Sequence, residues 1–484
     1  MNFLAKNILV GLLLVSIFQV GCQKDDIAPA RQQVAFVKYF GHVSQQEAAD
    51  VKRTADGGYL LVGSTNSYDT EGLRDILVVK TDSLGNEEWS KTLGQPADKQ
   101  GSNLTMQYDE VGVKAALLPD DAGYVIAGNR TIKNLTTVPT TEKTKIVLYQ
   151  LDLTGGIVLS KVLRNTGTEA AFTEEISDIK VHVGNPLAFV ITGYTTNLFR
   201  GKPGGIKSTD KTDIFTARLD VMFEIDWNQG SSTGSLAYGF DGNDYGTSVH
   251  IVSDGYIVIG TDQQSVNGLS NNIRAVKYRI SSGAILNTRD YGGVNFDLVG
   301  GHSVIDTLQG LITIAATWNE TSDKSSLAIL QLDYLLELNK NGTSSSGYYF
   351  YNTNEVDERR LPNTGLNSVG NVLAFNDIAK LPSNNGFILT YTNTTGLDSD
   401  IGLLRVEQDL SISEGFPYSY GYRDQTGIDG TLERGGSVIP VTEVKAGTSQ
   451  SFLTGYAFTG TFGLGTNNMM GLVKVNDRGT FATE

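Results

Sequence analysis

The stretch GGYLLVGSTNS (57–67), followed by DILVVKTDSLG (75–85) and EEWSKTLG (87–94), decides the fold. Each is an apolar, β-branched-rich run closed by Gly, Asn, Asp or Ser, which is the composition of a strand and its turn. The pattern repeats. YLLVG recurs as YVIAG, FVITG, YIVIG and, at the end of the chain, FLTG. The closing glycines are Gly63, Gly128, Gly193, Gly260 and Gly455, and the first four lie about 65 residues apart. LITIAAT (311–317) and FILTYT (387–392) fill the gap without the glycine, which makes seven copies.

The strand that follows ends in aspartate in six copies, at Asp82, Asp152, Asp220, Asp333, Asp409 and Asp477. An aspartate opening a tight turn accepts hydrogen bonds from backbone N–H groups just ahead of it, and a Gly three residues on takes the positive φ. These carboxylates therefore read as turn chemistry and not as catalytic acids. Seven residues beyond the aspartate comes Trp89, Trp227 or Phe416. Ahead of each copy lies a further short run: Asp50-Val51-Lys52, Gly112-Val113-Lys114, Asp178-Ile179-Lys180, Ser248-Val249-His250, Ser303-Val304-Ile305, Asp377-Ile378-Ala379 and Ser437-Val438-Ile439. Four strands per unit in seven units predict an all-β chain, a seven-bladed β-propeller spanning 34–484. The seventh copy stops too early to supply its outermost strand. FVKYFG (36–41) stands alone before the first copy, with the Phe-to-Gly spacing of Trp89–Gly94 and Phe416–Gly421. The N-terminal strand is expected to close the last blade and remove its open edge.

These copies resemble the Gly-Gly-Tyr/Val-Gly-Ser and Asp-x-x-Gly-x-x-x-Trp repeats of secreted bacterial β-propellers found in Bacteroidota lipoproteins. The resemblance covers 34–484 and speaks to fold, because propellers carry many activities.

The start of the chain gives a cellular address. Lys6 precedes a thirteen-residue apolar run, 8–20, of secretory length and too short to span a bilayer. Gly21 and Cys22 follow, then QKDD. The small residue before the cysteine resembles a bacterial lipobox, with Gln19 where Leu is usual. QKDD resembles the signal that sends Bacteroidota lipoproteins to the outer face of the outer membrane. The resemblance implies a signal peptide over 1–21, a diacylated Cys22 and a polar tether over 22–33. Cys22 is the sole cysteine. Lipidating it leaves no thiol for catalysis, disulfides or metal binding. The competing reading is a secreted protein that loses Cys22 or carries it inert.

The formal charge is −15, which argues against a nucleic-acid partner. Loops are asymmetric. The segments 130–144, 194–212, 261–272 and 456–468, together with the inter-unit connections 95–109, 230–245 and 421–434, are long and should emerge on one face. Loops on a rigid scaffold are the usual seat of binding. There the ligand candidates are Asp50, Asp178 and Asp377, expected around the channel mouth, and the aromatics Trp318, Tyr348, Tyr349 and Tyr351. The competing reading has the aspartates bonded to the backbone of the adjacent blade and the aromatics packed as framework.

No cofactor is indicated. The four histidines, His42, His182, His250 and His302, show no metal-ligand spacing. GHSVI (301–305) lacks the final glycine of a nucleophile elbow and recurs as scaffold in GTSVH and GGSVI. The leading expectation is a surface lipoprotein acting as a non-catalytic binding or scaffold module, capturing glycan or peptide for an outer-membrane importer. The alternatives are a propeller glycan hydrolase or lyase using Asp50, Asp178 and Asp377, and a structural partner of an envelope complex.

Overall fold

The structure is a computed structural model. It describes residues 35–481 apart from 43, 68–72, 101–102, 166–170, 197–210, 228–235, 240–241, 265–269, 293–296, 322–323, 340–347, 352–370, 396–397, 422–431, 445–450 and 466. Cys22, the signal peptide and the tether lie outside these residues.

The second and third strands of each unit are continuous apolar runs because both of their faces are covered. Tyr59–Thr65 is buried along its whole length, and Asp75–Thr81 nearly so, whereas the outermost strand Glu87–Leu93 is mostly exposed. Short uninterrupted apolar runs are what such doubly covered strands require. Seven antiparallel sheets result, six of four strands and one of five. Blades 1 to 7 occupy 46–93, 98–162, 174–238, 244–291, 297–351, 371–420 and 434–476. Innermost strands pack each against the next, and the one of blade 7 returns to that of blade 1. The chain is a seven-bladed β-propeller.

Closure follows the sequence expectation. Phe36–Phe40 pairs antiparallel with the carboxy-terminal strand, from Phe36 opposite Lys474 to Phe40 opposite Met470. It forms the outermost strand of blade 7. The Phe36 ring packs beside Gly85 in the turn of blade 1, so the seam is locked on both sides.

A bulge recurs in every innermost strand. Between Ala48 and Asp50 the register slips by one residue, and equivalent slips follow Gly112, Ile176, Gly246, Gly300, Phe375 and Gly435. A bulge re-aims the next side chain and bends the strand. It also explains the repeated glycine. The strand opposite must approach the carbonyl just before the bulge, and a Cβ on Gly63 would lie 1.9 Å from the Glu47 carbonyl oxygen, one on Gly193 1.8 Å from that of Glu175. The seventh-copy glycine in this role is Gly460, opposite Gly435. Gly455 instead precedes Tyr456, as Gly58 precedes Tyr59. Blade 5, with Ala316 at this place, builds its bulge from Gly300 and Gly301 at positive φ.

The turn aspartates behave as their chemistry predicts. Asp82 Oδ1 accepts from the Leu84 and Asn86 N–H groups, both at 2.8 Å, and Asp152, Asp220 and Asp333 do the same in their blades. Blades 6 and 7 depart from the expectation. There the turns open at Glu407 and Asn476, not at Asp409 and Asp477. The positive φ falls on Gly85, Gly155 and Gly479, but also on Phe223, Leu336 and Leu410, whose buried side chains offset the left-handed strain by packing.

Aromatics that follow the turn after the third strand join blades. Trp89 Nε1 donates to the Leu153 carbonyl of blade 2 at 3.1 Å, and Trp227 Nε1 to the Ile280 carbonyl of blade 4 at 2.9 Å. Asn287 makes the equivalent bond to Leu335 at 2.7 Å.

Loop lengths differ from the sequence expectation. Much of 130–144 is strand, since Tyr124–Asn134 and Thr141–Leu151 form one long hairpin. So is most of 456–468, where Ser451–Leu464 pairs with Asn467–Asn476. Counted from the bulge-facing glycine, the second strand runs two residues further in blade 1, to Thr65, and six in blade 2, to Asn134. At about 3.3 Å per residue, blade 2 stands about 13 Å above blade 1 on that face. The extended hairpin of blade 7 flanks blade 1 on its other side.

Candidate functional site

The bulges bring one side chain per blade to the channel axis. By register these are Asp50, Lys114, Asp178, Ser248, His302 and Asp377, with Ser437 falling within the bulge of blade 7. His302 holds the place that the sequence repeat assigned to Ser303, and Lys114 the place assigned to Gly112. The offset arises because Gly112-Val113 and Ser303-Val304 match the small-or-acidic residue plus β-branched pattern of the other copies but stand two residues before and one residue after the register position.

This ring stitches neighbouring blades. Asp50 Oδ2 accepts from the Ala115 N–H at 2.9 Å, Asp178 Oδ2 from Val249 at 3.0 Å, and Asp377 Oδ2 from Val438 at 3.1 Å. Ser248 Oγ accepts from the Ser303 N–H at 3.1 Å. Each donor belongs to the innermost strand of the next blade. The Asp50 carboxylate is fully buried and also meets Lys52 at 2.8 Å and Lys114 at 3.4 Å. Asp178 meets Lys180 at 2.8 Å, and Asp377 accepts from Ser437 Oγ at 2.5 Å. Burial alone would raise the Asp50 pKa, but Lys114 and Lys52 outweigh it and hold the carboxyl far below its usual range. Burial lowers the Lys114 pKa less than Asp50, Asp377 and Asp178 together raise it. Burial and the nearby Lys180 push His250 down to about 3, and its Nε2 lies 2.7 Å from Ser303 Oγ. Three aspartates face Lys52, Lys114 and Lys180, so the formal charges in the ring balance. Bonding to the adjacent blade is thus the reading of these aspartates that the geometry bears out.

The aromatic candidates are not gathered with them. Trp318 lies within the second strand of blade 5, Leu311–Thr321, half-buried against the core that contains Ile312, Leu330 and Leu332. Tyr348–Tyr351 is the outermost strand of that blade, paired with 327–330 and therefore on the rim of the disc. The sequence put Trp318 just past its strand, after 311–317, whereas the strand runs on to Thr321.

A cleft that the sequence did not announce lies on the step between blades 1 and 2. It encloses about 410 Å³. Glu47, Ser64, Asn66 and Arg74 line it from blade 1, and Gln107, Asp109, Thr131, Lys133 and Glu142 from blade 2. Residues two apart on one strand share a face, which is why Gln107 pairs with Asp109 and Thr131 with Lys133 as lining. Arg74 bridges the wall: Nη2 meets Asp109 Oδ2 at 2.6 Å, Nε meets Oδ1 at 3.1 Å, and the Arg74 N–H donates to Oδ1 at 2.8 Å. This bond to Asp109 raises the guanidinium pKa against partial burial.

The opposite face holds a second cavity, of about 460 Å³, lined by Asp56, Lys80, Glu88, Asp120, Asp121 and Tyr124. Its Lys80 ammonium, 3% exposed, is held by Asp56 at 2.6 Å and Glu88 at 2.7 Å. Among the described residues no group of three or more His, Cys, Asp or Glu side chains is arranged to hold a metal ion.

No protein-family model matches the chain, and no curated protein does. Solved structures align with it at low identity. A subtype N10 neuraminidase-like protein of A/little yellow-shouldered bat/Guatemala is 11% identical, with TM-score 0.39 over 75% of this chain and 95% of that one. The alpha-L-arabinofuranosidase from Lactobacillus brevis is 9% identical, with TM-score 0.36 over 77% and 94%. A thermostable family-43 glycoside hydrolase is 14% identical, with TM-score 0.32 over 62% and 89%. These likenesses carry no statement about chemistry.

Proposed function

We propose that the chain is an outer-membrane lipoprotein, anchored through Cys22, whose propeller is a non-catalytic module for binding or scaffolding. One observation carries the non-catalytic part. Asp50, Asp178 and Asp377, the repeat-derived carboxylates that hydrolysis would need at the axis, each accept a backbone N–H from the neighbouring blade. A general acid or a nucleophile must reach its substrate within hydrogen-bond distance. These oxygens are already committed to holding the ring.

The chain direction supports an orientation. The third strand of blade 7 runs from the loop face to the turn face, and Phe36–Phe40 runs antiparallel to it. The N-terminal segment therefore joins the disc at its turn face. Cys22 lies fourteen residues before Phe36, a reach of at most about 50 Å. A lipid on Cys22 then turns the loop face, with its cleft, away from the membrane. That arrangement suits capture of a glycan or peptide for delivery to an importer in the same membrane.

Release of reducing ends from a panel of plant, microbial and host polysaccharides tests this reading. The expected result is no release above blank. Turnover that the combined Asp50→Asn, Asp178→Asn and Asp377→Asn variant abolishes would overturn it in favour of a glycan hydrolase.

A further inference from the structure

We propose that the cleft between blades 1 and 2 is a binding site for an uncharged saccharide, an assignment that rests on the binding-module reading. Three observations converge there. First, Ser64 lines the cleft and is 1% exposed, and its hydroxyl has no hydrogen-bond partner among the described residues. A buried hydroxyl left unsatisfied costs about 1–3 kcal/mol, and a ligand hydroxyl would supply the missing bond.

Second, Lys133 and Glu142 stand opposite each other in the register of the raised hairpin, and both line the cleft. Neither enters an ion pair or side-chain hydrogen bond among the described residues, although opposite charges at facing strand positions ordinarily attract. They remain available to a ligand. Arg74, by contrast, is fixed in place by Asp109 and presents a rigid, planar group in the wall.

Third, the lining selects a chemical class. It mixes carboxylates, ammonium, guanidinium, amides and hydroxyls, and Leu73 is its lone aliphatic side chain. Three acids, Glu47, Asp109 and Glu142, face two cations, so neither an anion nor a cation finds a field of one sign. An apolar peptide side chain finds only the stems of polar residues and Leu73, with no continuous apolar patch to bury against. A molecule that donates and accepts along its whole perimeter and bears no charge matches this wall, and vicinal hydroxyls meet planar carboxylates and guanidinium groups two bonds at a time. The volume falls within the ~300–1,000 Å³ typical of small-molecule sites.

The test uses the full chain in mild detergent. It is screened on an array of neutral oligosaccharides and then titrated calorimetrically with maltose, cellobiose, xylobiose and mannobiose. The expected result is saturable binding of at least one disaccharide, weakened roughly tenfold by Lys133→Ala or Glu142→Gln and measurably by Ser64→Ala. The melting temperature should stay put, and Leu335→Ser on the opposite face should bind as wild type. Binding unchanged in all three cleft variants would overturn the site while leaving the binding-module reading intact. Absence of binding to every neutral sugar would overturn the ligand class. Cleft-dependent binding accompanied by reducing-end release would support the site and overturn the non-catalytic reading instead.

Discussion

Replacing Asp50 by alanine should lower the melting temperature by about 4 °C, and a second substitution at Lys114 should return part of that loss. Asp50 is fully buried and Lys114 is 13% exposed at the side chain, with 3.4 Å between their charged atoms. Removing one partner of a buried pair costs about 3–5 kcal/mol. The lower end applies because Asp178 and Asp377 still attract Lys114. The substitution also strips the Ala115 N–H of its acceptor, a further ~1 kcal/mol. For a domain of roughly 450 residues the unfolding entropy is about 0.9 kcal/mol/K, so ~4 kcal/mol becomes a shift of about 4 °C. Asp50→Asn keeps an acceptor for Ala115 and should lose about half as much. Pairing Asp50→Ala with Lys114→Met removes the stranded ammonium and should recover at least 1 kcal/mol. The pH dependence follows from sign. The folded Asp50 pKa lies below its ordinary 3.8, so its contribution is fully present above about pH 4 and fades as pH falls through the folded value. Lys114 is raised above 10.5, so its contribution is present below that pH and is lost only in strong alkali. The gap between wild type and Asp50→Ala should therefore be flat from pH 5 to 9 and narrow in acid. Differential scanning calorimetry measures all of this. An unchanged melting temperature in Asp50→Ala, or a double variant no better than the single, would refute the view that this ring is held by charge and blade-to-blade bonding.

Three further outcomes are expected. Deleting the chain through residue 41 uncovers the edge of Asn467–Asn476, and size-exclusion chromatography with light scattering should find dimers or larger aggregates where the full chain is monodisperse. Trp227→Phe keeps an aromatic ring in the blade 3–4 seam but deletes the bond to Ile280, which should cost about 1 kcal/mol, whereas Trp227→Ala should cost about 3–5 kcal/mol in calorimetry. On intact cells, a membrane-impermeant maleimide should label cysteine at exposed Val138, on the raised hairpin, faster than cysteine at exposed Leu153, on the turn face; equal rates would argue against the proposed orientation.

The scaffold was legible because its rules are local. A glycine that must admit a carbonyl, an aspartate that caps a turn and a doubly buried strand each leave a residue-level mark, and each recurs with the blade. The closing strand was legible through one spacing, Phe36 to Gly41. Look-alike residues nearby were harder to tell apart. Ser303-Val304 matches Ser248-Val249 in type but stands one residue past the register position, which His302 holds, and Gly455, before Tyr456, matches the repeated glycine in type although Gly460 faces the bulge. Aromatic content does not tell a middle strand from a rim strand, so the strand positions of Trp318 and of Tyr348–Tyr351 came only with the register.

The cleft was illegible for a different physical reason, and that reason bears on where function resides in such a ring. Its residues come from five strands and the segments flanking them in two blades, brought together only because the second strand of blade 2 continues six residues past Gly128 while that of blade 1 stops two past Gly63. Nothing in NRTIKN (129–134) marks it as a wall, since an alternating polar strand reads like a loop when no partner is known. The repeat holds each blade to a common plan up to the bulge, and there side chains are committed to neighbours, as Asp50, Asp178 and Asp377 are. Beyond the bulge, strand length is free to vary, and Ser64, Lys133 and Glu142, none of them with a side-chain partner among the described residues, are found there. A binding site in this propeller is therefore to be sought where adjacent blades differ in height and not where the sequence repeats most faithfully.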